Sequence, residues 1–251
     1  MRVAVFSDVH GNLTALDAVL ADIDDQQVDE IVFAGDLCLV GPRPAECVAR
    51  LQTAAISSIF GNTDDWVLGR QQPPPHLQAL CDWTLAQLDK EARTWLDSLP
   101  FSRSIAPTGK LEDDLLIVHA NPLDVNQLIF PSEAEQTERY GRIRQSDTDL
   151  DPMLKDLKAG ILGFGHLHIP NVRQWRDKLL INISSVNMPG DGDARAKYGL
   201  FIWDGQQWQF EHRFVAYQSQ AESDVYHQAQ PPGWQGIVEK IETMGAFPQN
   251  V

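Results

Sequence analysis

The segment Arg2-Val3-Ala4-Val5-Phe6-Ser7-Asp8-Val9-His10-Gly11-Asn12 decides the fold. Residues 2–6 form an apolar run rich in β-branched and aromatic side chains, which predicts a strand, and polar residues close it at once. Downstream, Leu13, Leu16, Val19, Leu20 and Ile23 recur at helical spacing behind Asn12, a residue type suited to a helix N-cap, and a second apolar run follows at Ile31–Ala34. The chain therefore opens β-α-β. A helix over 44–52, entered through Gly41-Pro42, and a third strand over 55–60 continue the alternation. Strands joined by helices of this length imply a parallel sheet and an α/β fold.

Further along, residues 73–100 read as helical, with Leu77, Leu80, Trp83, Leu85, Leu88, Trp95 and Leu96 between Pro73-Pro74-Pro75 and Leu99-Pro100. These side chains are assigned to packing, with a lid over the site as the alternative. Short apolar runs at 115–118, 161–164, 179–183 and 199–203 predict further strands, and the acidic stretch 133–158 predicts surface helices between them. The division expected is one domain over 1–215, carrying a helical insert at about 73–100, and a polar C-terminal extension over 216–251. Within the extension, the polar stretch Tyr217–Pro232 is expected to be ordered in part at most. A short amphipathic helix carrying Ile237, Val238, Ile241 and Met244 is expected to follow it.

With 20 basic against 35 acidic side chains, the formal charge is −15. Long nucleic acids and anionic membranes call for a basic stripe or face, so the balance argues against both as partners. A hydrophobic content of 43% excludes disorder over most of the chain. Cys38, Cys47 and Cys81 show no C-x-x-C spacing and read as reduced thiols. The N-terminal apolar stretch is too short for a signal peptide, and no run approaches the roughly 18 apolar residues of a membrane span. The expectation is a soluble, cytoplasmic protein, its oligomeric state left open.

The ionisable residues fall at strand ends. Asp8 and His10 follow the first strand, Gly35-Asp36 the second and Gly61-Asn62 the third, while His119 and Gly165-His166-Leu167-His168 follow later ones. Carboxyl ends of parallel strands share one edge, where α/β proteins place ligands, so these groups are expected to converge. Two carboxylates, one amide and four imidazoles are a donor set for Mn, Fe, Zn, Co or Ni, with manganese placed first. Seven donors exceed the need of one ion and suit two that share a ligand, and two ions about 3.5–4 Å apart can clamp a phosphate and activate a water. A carboxylate has two oxygens with which to bridge, and Asp36 is the one expected to do so.

The blocks Asp8-Val9-His10, Gly35-Asp36, Gly61-Asn62-Thr63-Asp64, His119 and Gly165-His166-Leu167-His168, in this order, resemble the calcineurin-like metallophosphoesterases, in particular their small bacterial and archaeal branch. The resemblance spans roughly residues 1–203. It implies a four-layer α/β/β/α sandwich of two mixed sheets. It also implies one ion held by Asp8, His10, Asp36 and His168, a second held by Asp36, Asn62, His119 and His166, and in-line attack of a metal-bridging hydroxide on a small phosphoester. Asp36 and Asn62 are the catalytic candidates.

Two departures qualify the match. Position 63, where the larger family usually has a His thought to protonate the leaving oxygen, is Thr63, a poor acid near neutral pH. This favours substrates with good leaving groups, such as phosphodiesters or nucleotides, over alkyl monoesters. Asn182-Ile183-Ser184-Ser185 replaces the common Asn-Pro-Gly-Ser. The competing readings are a non-catalytic binding module on the same fold, as a retromer subunit of that fold family is understood to be, a mononuclear metal sensor or chaperone, and a protein Ser/Thr phosphatase. Asn12 and Arg195 are the substrate-binding candidates, set against a plain helix cap for Asn12 and an ion pair with Asp191 or Asp193 for Arg195. Asp64 and Asp65 are expected to support the ligands or cap a helix, and His76, His212 and His227 to be structural or superficial.

Overall fold

In a computed structural model, residues 1–245 of the chain are described, with side chains through Glu242. The predicted β-α-β opening forms as β1 (Arg2–Phe6), α1 (Leu13–Asp25) and β2 (Glu30–Ala34), followed by α2 (Pro44–Thr53), β3 (Ser57–Ile59) and α3 (Asn62–Val67). The insert is α4 (Gln78–Gln87) and α5 (Lys90–Asp97), leading to β4 (Ser102–Ile105), β5 (Leu115–Val118), α6 (Glu133–Tyr140) and α7 (Asp151–Leu154). Then come β6 (Ile161–Phe164), β7 (Asn171–Trp175), β8 (Lys178–Asn182), β9 (Ala196–Trp203), β10 (Trp208–Val215), α8 (Ser219–Ala229) and α9 (Trp234–Gly245).

The strands form two mixed sheets, ordered β10-β9-β1-β2-β3 and β4-β5-β6-β8-β7. Parallel pairing joins β1, β2 and β3 in the first and β5, β6 and β8 in the second, while β9, β10, β4 and β7 join by antiparallel pairing. The period-2 alternation of strands assigns faces. Val3, Val5, Val32, Ala34 and Ile59 meet Ile105, Leu115, Ile117, Ile161 and Ile181 between the sheets. Ala4, Phe6 and Phe33 point the other way, into a layer with Leu16, Val19, Leu20 and Ile23 of α1, Cys47, Val48 and Leu51 of α2, and Leu80, Leu88 and Leu96 of the insert. The insert is thus packed core, as expected. On the far face of the second sheet, Leu162, Phe164 and Leu180 meet Leu150, Met153 and Leu154. The result is the expected α/β/β/α sandwich.

Three strands lacked a readable signal in the sequence: β4, β7 and β10. All are sheet edges. Edge strands are partly solvated, so Ser102-Arg103-Ser104-Ile105 carries no apolar run and Trp208 to Val215 interleaves charge with aromatic residues. The polar stretch 217–232 also differs from expectation. It forms α8 as far as Ala229 and packs on α1, burying Glu222, Ser223 and Tyr226. A helix needs only a narrow stripe of contact, which composition does not reveal. In α9, Ile237, Val238 and Ile241 join Tyr226, whereas the side chain of Met244 lies outside the described residues. The three cysteines are buried and unpaired. Among the described residues no helix is long and apolar enough to cross a membrane.

Ile181 and its β7 partner Val172 point to one face, yet Ile181 is fully buried and Val172 is 43% exposed at the edge. Urea unfolding is expected to show Ile181→Ala losing about 3 kcal/mol and Val172→Ala losing less than about 1 kcal/mol.

Candidate metal centre

Parallel pairing brings the ends of β1, β2 and β3 together, and the ends of β5 and β6 face them from the other sheet. There the structure joins all seven expected ligands. Asp8 Oδ1 lies 3.0 Å from His168 Nε2 and 3.8 Å from His10 Nε2. His119 Nε2 is 2.9 Å from Asn62 Oδ1 and 3.4 Å from Asp36 Oδ1, and the His119 and His166 ring centroids are 5.0 Å apart. Two groups result, Asp8-His10-His168 and Asp36-His119-His166, each with ligand atoms within 4.8 Å of one another. Asp36 connects them, since its Oδ2 lies 3.8 Å from His10 Nε2 while its Oδ1 faces His119.

The backbone here is unusual. Asp8, His10, Asp36, His166 and His168 all adopt positive φ, at 57°, 47°, 63°, 64° and 60°. Non-glycine residues in the left-handed region persist where surrounding bonds over-determine them, and they cluster at functional sites. Asp8 N donates to Gly35 O at 2.9 Å, His10 N to Asp36 O at 3.0 Å, and His166 N to Asp8 Oδ2 at 3.0 Å. Two glycines let the carboxylates approach the chain: a β-carbon would stand 2.1 Å from Asp36 Oδ1 at Gly61 and 2.3 Å from Asp8 Oδ2 at Gly165.

Around this set, Asp64 organises the Asp36 turn. Its carboxylate accepts from Asp36 N and Leu37 N at 2.9 Å and from Gly61 N at 3.0 Å, the last closing the first turn of α3. Burial, and then the neighbouring Asp36 charge, push its pKa up to about 7. Asp65 instead pairs with Arg70 at 3.0 Å.

Burial opposes the charge of each ligand carboxylate, but imidazoles outweigh it. His119 holds Asp36 well below the usual carboxylate range, and His168 lowers Asp8. Reciprocally, Asp36 overcomes the burial of His119 and raises its pKa to about 10, and Asp8 raises His168. His10 and His166 are lowered, first by burial. The raised pKa values of His119 and His168 mark the places beside the carboxylates that a metal cation would take over.

The ring orientations fit metal ligation. His10 Nδ1 donates to Leu39 O at 3.1 Å, His119 Nδ1 to Ala34 O at 2.9 Å and His168 Nδ1 to Met188 O at 2.9 Å. A carbonyl only accepts, so the ring hydrogen is fixed at Nδ1 and Nε2 is presented to the centre, the arrangement that orients histidine ligands. His166 is reversed, with Nε2 donating to Asn126 O at 2.9 Å. These carbonyl partners had no sequence signal, because any residue supplies a carbonyl. Asn182, in the loop that departs from Asn-Pro-Gly-Ser, also supports the site: its amide donates to Gly165 O at 2.6 Å and its Oδ1 accepts from Ser184 N at 2.8 Å.

The two substrate-binding candidates have protein partners of their own. Asn12 is fully buried and caps α1, its Oδ1 accepting from Ala15 N at 2.9 Å. Arg195 binds Asp193 through Nε at 3.1 Å and stacks over Phe214. Of the remaining histidines, His76 is exposed, His212 donates to Asn182 O at 2.8 Å, and His227 packs on Trp234.

Comparison with known proteins agrees with the fold. A solved metallophosphoesterase from Sphaerobacter thermophilus is 27% identical, covering 97% of this chain and 99% of that one with a TM-score of 0.69. A hypothetical protein from Pyrococcus horikoshii shares the fold at TM-score 0.76 and 17% identity, over 97% of both chains. An uncharacterized protein of Methanocaldococcus jannaschii is 30% identical over 240 residues, 93% of this chain and 95% of the relative. The calcineurin-like phosphoesterase superfamily domain matches residues 1–204, and with the strand-end Asp, Asn and His residues in place the chain belongs to that superfamily.

Proposed function

We propose that the protein is a phosphoesterase whose centre holds two divalent ions and which hydrolyses a phosphodiester, nucleotide or similar small phosphoester with a good leaving group. The observation that carries this reading is the position of Asp36: its two carboxylate oxygens are turned to different histidines, His10 and His119, one in each ligand group. Asp8, His10, His168 and Asp36 would hold one ion, and Asp36, Asn62, His119 and His166 the other. When bound, such ions supply Lewis-acid stabilisation of the phosphoryl oxygens and a nucleophilic water at neutral pH.

The chain's own part is to fix the ligands and limit the substrate. Arg43, Arg70, Arg195 and Lys197, which lie on segments that follow the ligands, are already paired with Glu222, Asp65, Asp193 and Asp191. Recognition of phosphate therefore falls to the centre itself. Thr63 donates its amide to Asp36 Oδ1 at 2.9 Å, and its buried hydroxyl has no hydrogen-bond partner. It orients the carboxylate and offers no titratable proton near neutral pH. A leaving group that departs without protonation, such as an aryl oxide or a nucleoside phosphate, suits this arrangement.

Three outcomes are expected. Purified protein loaded with Mn²⁺ hydrolyses a bis-aryl phosphodiester and a dinucleoside polyphosphate but not a phosphoserine peptide; two bound ions with no turnover on any substrate would favour the binding-module reading. Asp36→Asn lowers bound metal by at least one ion per chain and kcat by more than about 100-fold, beyond what removal of outer groups does. Thr63→His raises hydrolysis of an alkyl monoester by about tenfold or more, as restored general acid catalysis requires, and an unchanged rate would place the proton donor elsewhere.

A further inference from the structure

Along β9, the period-2 alternation places Lys197 on the face of Phe201, between the two sheets, where an apolar side chain is the rule. Lys197 is fully buried there all the same. Its Nζ donates to Asp193 O at 2.7 Å and to Arg195 O at 3.1 Å, and Asp191 Oδ1 pairs with it at 3.1 Å. An ammonium group has three protons to satisfy, and burying it is costly unless each finds an acceptor. Here all three acceptors belong to one loop, residues 183–195 between β8 and β9.

The near half of that loop lies against the candidate ligands. Val186 N donates to Ser7 O at 2.9 Å and Asn187 N to Asp8 O at 3.0 Å. Met188 O accepts from His168 Nδ1 at 2.9 Å, while His168 O accepts from Gly190 N at 2.6 Å and from Ser184 Oγ at 3.1 Å. His168 is thus gripped by ring and backbone from a single loop. Ser184 and Met188 hold positive φ, at 68° and 54°, a conformation that persists where both flanks are fixed. Toward β8 the flank is fixed by Asn182 Oδ1, bound to Ser184 N, and by Ser185 O, which accepts from Lys197 N at 3.0 Å. Toward β9 the buried tie is Lys197 Nζ. The other contacts on that side, Arg195 with Asp193 and over Phe214, are at the surface, where ion pairs hold weakly.

We infer that Lys197 and Asp191 form a buried pin that holds the 183–195 loop against His168, and so are positioning residues for the metal centre. The inference rests on the metal-binding reading above. It concerns the affinity of the centre as a whole, because Asp8 is bonded both to His168 and to the His166 amide.

Two measurements on the full chain test it. Calorimetric titration with Mn²⁺ reads the affinity of the centre. The imidazole N–H proton signal of His168, followed by NMR in histidine-labelled protein without added metal and assigned by its absence in His168→Ala, reads whether Met188 O still holds the ring. Lys197→Met and Asp191→Asn are each expected to weaken Mn²⁺ binding by about tenfold, the lower end for groups behind metal ligands, and to lose the His168 signal to solvent exchange. The double variant is expected to bind no more weakly than Lys197→Met, since the two residues act as one pin. Leu154→Ala, in the layer on the far face of the second sheet, is expected to lower Tm without moving either reading. Either reading left unchanged by both single variants overturns the inference and makes the pair a stabilising contact only. Should Lys197→Met not fold, Asp191→Asn decides, because it keeps both carbonyl bonds of Lys197. Absence of Mn²⁺ uptake by wild type overturns the metal-binding reading instead, and the His168 signal then decides the pin.

Discussion

Two carboxylates, Asp8 and Asp36, are buried at the ends of neighbouring parallel strands, and among the described residues their ion-pair partners are all imidazoles. Moving a carboxylate out of water costs several kcal/mol unless a cation compensates it. No lysine or arginine does so here. The compensating groups are His119 and His168, whose pKa values are raised by the carboxylates beside them, and each ring's Nδ1 is tied back to a carbonyl, which leaves Nε2 facing the centre. With divalent ions bound, as proposed above, the field at the centre would be locally positive despite the overall charge of −15.

That arrangement constrains the backbone around it. Five of the candidate ligands sit in the left-handed region, which for residues with a side chain costs about 1 kcal/mol or more each, and the conformation survives because neighbouring strands and loops hold both sides of every turn. Gly61 and Gly165 are part of the same constraint, since a methyl group at either would displace a ligand carboxylate. The sandwich behind the site supplies the rigidity. With Val3, Val5, Val32 and Ala34 locked against the second sheet, the strand ends have no freedom to splay.

The ligand residues were legible because their chemistry is local. A carboxylate or imidazole beside glycine at the end of an apolar run is visible in one line of sequence, and five such blocks in order give the centre before any coordinate is known. The α1 cap at Asn12 and the packing role of Leu80, Leu88 and Leu96 were readable for the same reason. What escaped was whatever depends on partners distant in sequence. Edge strands β4, β7 and β10 carry little apolar signal because solvent takes one side, and the polar α8 reads as tail in the sequence because its partners, Arg43 for Glu222 and α9 for Tyr226, are not its neighbours along the chain.

By itself, then, the sequence determined the parallel β-α-β frame and the candidate metal donors, since hydrophobic periodicity and side-chain chemistry are properties of short segments. The tertiary structure alone decided which donors face which. It turned the two oxygens of Asp36 toward different histidines, tied each imidazole to a carbonyl, and seated α8 on α1. Those are distances between residues up to about two hundred positions apart, fixed by how strands stack and loops close rather than by any pattern along the chain.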